Sequence, residues 1–324
     1  MVALLAAYGS LAYVYRDRVA NTLSHLPRVV WWWVVLAVIA ESCSMIALAR
    51  SQWYLLRVGK SRPTLPSAVA LIYAGNVFST VLPVVGGAAA TAYSFRQWKL
   101  RGVDDATIGW AVTVSGAMST LSFALLATIG ALLTSSSLAT ILGLAGAALG
   151  AIPALAILLA VYSRRARRVF DRIFSWAVSL SRKLIHHPRS DAVGNFDRGL
   201  NQAASLHAPP SAYVLASLMA LRNWTADWLC LAAAIRATGS PVPWRELLLV
   251  YCVAKTVNSF NLTPGGIGVV DAALVGGLVA AGLKASHAVP AVVVYRAISL
   301  GLVVALGLVL GGMVSVHNRE QKKP

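Results

Sequence analysis

Acidic side chains are scarce in this chain of 324 residues: Asp and Glu number 11 against 28 Lys and Arg, and all charged residues make up only 12%. Hydrophobic residues fill 58% of it. A water-soluble core could not hide that much apolar surface, so a soluble globular domain is excluded. Cysteine is equally sparse. Cys43, Cys230 and Cys252 lie in apolar stretches, are odd in number and form no CxxC, which argues against a disulfide framework and a zinc site. The histidines are scattered or, as His186 and His187, sit in a basic segment without ligand spacing, so no metal is expected. GxSxG, Walker A and HExxH are missing too. No cofactor is implied, and the chain is not expected to be an enzyme.

What the sequence does have is long apolar runs. Residues 29–49, 106–133, 138–162, 211–237 and 286–316 each reach the roughly 20 residues that span hydrocarbon. They predict an all-α, polytopic membrane protein forming one transmembrane domain over residues 1–324. Residues 2–15 are apolar but too short to span and lack a basic n-region. They are read either as a short helix or as the remnant of a longer beginning.

The net charge of +17 suggests nucleic acid until the cations are located. They cluster between the spans: Arg50, Arg57, Lys60 and Arg62; then Arg164 to Arg198; then Arg319, Lys322 and Lys323. Cytoplasmic loops of membrane proteins carry this excess. Stacking aromatics of the kind that bind single strands are not interleaved, so no nucleic acid is expected, and anionic lipid headgroups at the cytoplasmic face are the expected partners. Placing the basic clusters inside gives a consistent alternation of spans across the cytoplasmic membrane. Within residues 163–210, Phe170, Ile173, Phe174, Trp176, Val178 and Leu180 recur at helix-like spacing. They predict an amphipathic helix on the inner leaflet, or equally a packing face.

Two apolar segments are interrupted. Residues 67–82 and 88–95 flank Pro83-Val84-Val85-Gly86-Gly87, and residues 247–262 and 267–283 flank Thr263-Pro264-Gly265-Gly266. Proline removes a backbone donor and glycine admits positive φ, so a helix should break sharply at both places. Each arm is too short to span at 1.5 Å per residue, which predicts two re-entrant helical hairpins. By the charge topology the first is reached from the cytoplasm and the second from outside, the polarity of an inverted repeat. A half-helix starting after Gly87 or Gly266 would aim its N-terminus at the membrane interior, where it suits a phosphate or carboxylate.

Charges inside apolar segments carry the remaining signal: Glu41, Arg222, Asp227, Lys255, Asp271 and Arg296. Each costs at least about 2.5 kcal/mol at the bilayer centre on insertion scales. They are expected to face the interior, either pairing there (Arg222 with Glu41 or Asp227, Lys255 with Asp271) or surrounding a hydrated cavity. In the cavity reading Arg296, Arg222 and Lys255 meet a phosphate, and Asp271 or Asp227 a cationic headgroup or a proton. Asn76, Asn258 and Asn261 stand near the breaks, where they can satisfy freed backbone groups or contact substrate, and Tyr295 is read as packing.

The stretch Asn261-Leu262-Thr263-Pro264-Gly265-Gly266-Ile267-Gly268-Val269-Val270-Asp271, followed by Gly282 and Tyr295-Arg296, resembles the lysylphosphatidylglycerol synthase transmembrane-region family of lipid flippase-like proteins. Asn76 to Gly87 matches its earlier, looser motif. The resemblance implies a bilayer domain that translocates aminoacylated phospholipids or glycolipids, and it places Pro264, Gly265, Gly266, Asp271 and Arg296 at functional positions. The chain departs from the family at Leu262, often Pro, at Asp271, often Glu, and at Val85 and Gly87, where charges are common. Only His317 to Pro324 follow the last predicted span, so no soluble synthase domain is expected here. The function expected is a flippase moving an anionic phospholipid, aminoacyl-phospholipid or glycolipid. The alternatives are a membrane enzyme on a lipid-linked substrate, with Asp271 or Asp227 as base, and a scaffold recruiting a cytoplasmic lipid-modifying synthase.

Overall fold

The computed structural model describes residues 29–134, 137–162, 208–260 and 262–320, and these fold into helices with no strand among them. Residues 1–28, the expected amphipathic helix, Asn261, Lys322 and Lys323 lie outside the described residues.

Every long apolar run becomes a helix: α1 (Trp31–Leu56), α4 (Asp105–Leu133), α5 (Ser137–Tyr162) and α6 (Pro210–Ala237). The final run forms α9 (Ala285–Arg296), which passes through a π-helical turn, Ala297–Leu302, into α10 (Val303–Glu320). Trp31–Leu56, Asp105–Leu133 and Ala285–Val316 are long and apolar enough to cross a membrane. The 32 residues of the last rise about 48 Å at 1.5 Å per residue. The surface is apolar, with Leu132, Ile141, Leu149, Ile152 and Met313 all exposed, while Glu41, Asn223 and Asp227 are buried. That inversion of the soluble pattern suits lipid as solvent.

One boundary moves. The apolar run ends at Ala49, yet α1 continues through Arg50 to Leu56. Leu55 and Leu56 are fully buried, and Ser51 Oγ donates to the Ala216 carbonyl of α6 at 2.9 Å. A cation at a helix flank therefore does not end this helix, because neighbouring packing carries it on.

α1 and α6 form the longest seam. The Val30 N–H donates to the Ala237 carbonyl at 3.0 Å, Asn223 Nδ2 to Ser44 Oγ at 2.8 Å, and Ser51 to Ala216. As numbers rise on α1 they fall on α6, so the helices run antiparallel in one register. Ala216, Ala220, Ala234 and Ala237 have no exposed surface. Small residues let two backbones approach closely, the usual basis of helix contact in lipid.

Helices break where the proline and glycine clusters predict. α2 (Leu65–Val81) and α3 (Gly86–Leu100) flank the first break, and α7 (Trp244–Ser259) and α8 (Val269–Ala280) the second. Gly86 abuts the Ser79 carbonyl beside the break while Gly75, further back on α2, packs on Ala90 and Ser94, so α2 and α3 are antiparallel. Gly277 against Val250 and Gly266 against Asn258 make α7 and α8 antiparallel likewise. Each break is thus the tip of a helical hairpin.

The two tips meet. A Cβ on Gly265 would lie 3.4 Å from Thr80 Cγ2 at the first tip and 2.6 Å from Leu300 Cδ1 in the π-helical turn. Further along α10, Gly307 abuts Tyr73 and Val77, and Gly311 abuts Ala74. α2 therefore runs up to the π-helical turn while α10 runs away from it. Arg296, the last residue of α9, contacts Gly265 at the second tip, so α7 and α8 lie towards the α9 end. The hairpins approach the middle of the long helix from opposite ends.

Candidate functional site

Where the tips converge, three helices bring buried charges together. Asp227 of α6 is 6% exposed. Lys255 Nζ of α7 lies 2.5 Å from its Oδ2, Tyr251 Oη donates to the same oxygen at 2.9 Å, and Tyr295 Oη of α9 donates to Oδ1 at 2.7 Å. The ammonium stands 5.5 Å from the Tyr251 ring centroid and 5.7 Å from that of Tyr295. Two donors and a cation thus offset the desolvation of Asp227, as a buried carboxylate requires. Glu41 of α1 is buried beside Asp227, and its Oε2 has no hydrogen-bond partner.

The second cluster fixes the tip of α7 and α8. Arg296 Nη2 donates to the Gly265 carbonyl, and its Nε lies 2.9 Å from Asp271 Oδ1. That ion pair is close but not aligned, since Oδ1 has no hydrogen-bonding donor. Asp271 Oδ2 accepts the Gly268 N–H at 2.9 Å. The start of α8, expected to present its N–H groups to an anion, therefore carries its own carboxylate as a cap. Pro264 opens a 3₁₀ turn, and Gly265 and Gly266 both take positive φ. A Cβ on Gly266 would lie 2.5 Å from Asn258 Oδ1, so Asn258 packs directly under the tip.

At the first tip, a Cβ on Gly86 would lie 2.7 Å from the Ser79 carbonyl oxygen, whereas one on Gly87 would meet nothing within 4 Å. Asn76 Nδ2 donates to the Ile72 carbonyl at 3.1 Å within its own helix. Beside it lies a cavity of about 170 Å³ lined by Gln52, Asn76, Ser79, Thr91 and Ser94 among others. Ile72, Ala90 and Val112 also line it, so its walls are mixed and uncharged, unlike the charge-lined chamber expected.

The expected pairings are exchanged: Lys255 takes Asp227, and Asp271 takes Arg296. Arg222 belongs to neither cluster. It stands exposed on α6, on the helix face that carries Leu215, Leu218 and Leu229, away from the buried Asn223 and Asp227. Tyr295 does more than pack, since it holds Asp227. Tyr251 was not legible as a site residue, although its place one turn before Lys255 on the same face was a usable signal.

No curated protein matches this sequence. A family model described as the lysylphosphatidylglycerol synthase TM region matches residues 1–307, which takes in both tips, all the buried charges and the helices that carry them. The chain belongs to the lysylphosphatidylglycerol synthase transmembrane-region family.

Proposed function

We propose that this chain is a multi-pass protein of the cytoplasmic membrane that moves an anionic phospholipid, aminoacyl-phospholipid or glycolipid between leaflets. The observation that carries this reading is the meeting of two hairpin tips at the middle of one long helix, with Arg296, Asp271, Lys255 and Asp227 gathered there. If that helix spans the bilayer, both hairpins are re-entrant and their tips sit at mid-depth. Non-helical backbone is tolerated at that depth when protein encloses it or water fills the space beside it. Opposed approach supports an inverted repeat. So does the matching C-terminal geometry of α3 and α8, where Gly102 and Gly282 take positive φ, Val103 N–H returns to Trp98 O and Leu283 N–H to Leu278 O.

Arg296 is the residue proposed to meet the headgroup. Its guanidinium offers a planar fork that matches phosphate, and the unaligned Asp271 oxygen is a counterion that a phosphate can replace. Acyl chains would remain in lipid while the headgroup passes between the tips. The basic segment at residues 163–210 would attract anionic lipid at the inner face or a cytoplasmic lipid-modifying synthase. The enzyme alternative is weakened because both oxygens of Asp227 already accept hydrogen bonds and Asp271 is held by Gly268 and Arg296. Neither carboxylate is poised as a base.

Purified protein in vesicles with labelled lipids of several headgroup classes should accelerate exchange for at least one anionic class. Arg296→Ala and Asp271→Asn should abolish that acceleration while the protein still inserts and stays folded. Full activity in both variants, or no acceleration for any lipid, would remove the proposal.

A further inference from the structure

The charges around Asp227 do not balance. Lys255 supplies one positive charge and lies against Asp227. Glu41 adds a second carboxylate to the same place, is 5% exposed, and forms no ion pair with a cation among the described residues. Its Oε2 is sealed from solvent and has no donor. The groups facing it from other elements are Tyr73 of α2, Asp227 and Cys230 of α6, Lys255 of α7 and Tyr295 of α9, with Tyr251 beyond on Asp227. None of these adds a second cation.

Asp227 and Glu41 share one ammonium, and although Lys255 keeps about a quarter of its side chain exposed, the Glu41 oxygen is sealed, so ionising both carboxylates is strongly disfavoured. Whatever cancels the extra charge must fit where no solvent reaches, and a proton needs no space. We propose that Glu41 binds an exchangeable proton, and that its release and recapture accompany headgroup movement, so that lipid transport is proton-linked. The linkage rests on the transport reading above; the proton site itself does not. The connection runs through adjacent residues. Tyr295 holds Asp227 and precedes Arg296, which holds Gly265 and Asp271 at the second tip. Movement of Arg296 towards a phosphate would draw the Tyr295 hydroxyl from Asp227. Asp227 then lacks one donor and competes for the Glu41 proton, which passes to it or on to water as the site opens.

Infrared spectroscopy of the purified full chain at neutral pH should give the C=O stretch of a protonated carboxylic acid that is lost in Glu41→Gln. The band should also vanish in Asp227→Asn, where Glu41 remains but becomes the sole counterion of Lys255 and ionises. A band absent from the unaltered protein, or persisting in either variant, overturns the proton site. In vesicles, a gradient of one pH unit should shift the steady-state lipid distribution by up to about tenfold for one proton per lipid, and Glu41→Gln should abolish the shift. An unshifted distribution in the unaltered protein overturns the linkage. If no lipid moves in any protein, the transport reading fails, while the infrared band still decides whether Glu41 holds the proton.

Discussion

At Gly266 the backbone and the neighbouring side chains make the same demand. The residue takes φ +68°, and a Cβ there would strike Asn258 and Val270. Gly266→Ala should therefore destabilise the protein by about 1–3 kcal/mol, read as a lower melting temperature in detergent. Gly87→Ala, with open space around it, should leave melting unchanged or raise it slightly. The two tyrosines on Asp227 invite a parallel comparison. Each donates to a buried carboxylate, so Tyr251→Phe and Tyr295→Phe should each cost about 1.5–3 kcal/mol in detergent or denaturant melts. Tyr295→Phe should also slow lipid exchange if Asp227 and Arg296 work together. Residue types at this site were legible from the expense of charge in apolar segments, but partners were not. Lys255 pairs with Asp227 rather than Asp271, because the face of α7 that carries Tyr251 and Lys255 reaches Asp227 while Asp271 turns back to cap its own helix. Arg222 misled because an apolar run does not tell which side of a helix faces lipid.

Among the elements, the α1 and α6 seam and the π-helical turn invite direct tests. Ala220 is fully buried on the seam side of α6. Ala220→Leu should force the helices apart and cost about 1–3 kcal/mol, visible as earlier thermal aggregation. The π-helical turn sets the facing of Arg296 relative to α10. Deleting Ser299 should restore ordinary helix with the two halves facing nearly as before, since six π-helical residues turn about as far as five α-helical ones. The expected result is helical content preserved by circular dichroism, with transport lost if the widened turn itself is used and kept if only the facing of Arg296 matters. Helix positions and both breaks could be read from the sequence, since run length and proline-glycine clusters are local signals. The extension of α1 past Arg50 could not, because it depends on Ala216 far along the chain. The meeting of Thr80 with Gly265 and Leu300 was hidden for the same reason.

For the whole molecule, the hairpins' opposed approach makes a prediction about sidedness. Single cysteines in place of Lys60, beyond α1, and Glu246, at the start of α7, should react with an impermeant thiol reagent from opposite faces of sealed vesicles. The native Cys43, Cys230 and Cys252 would first be replaced. Labelling of both positions from one face would rule out the proposed topology. The seam that joins Ser44 to Asn223, 179 positions apart, also bears on how the protein is made. Chains emerge N-terminus first, so α1 leaves the ribosome well before α6 and α7 have been translated. During that interval the carboxylate on α1 has neither Asp227 nor Lys255 for company. If charged, that carboxylate would cost the inserting helix about 2.5–3.5 kcal/mol on insertion scales, a cost that its 26 apolar-rich residues can carry and that a proton on Glu41 would remove.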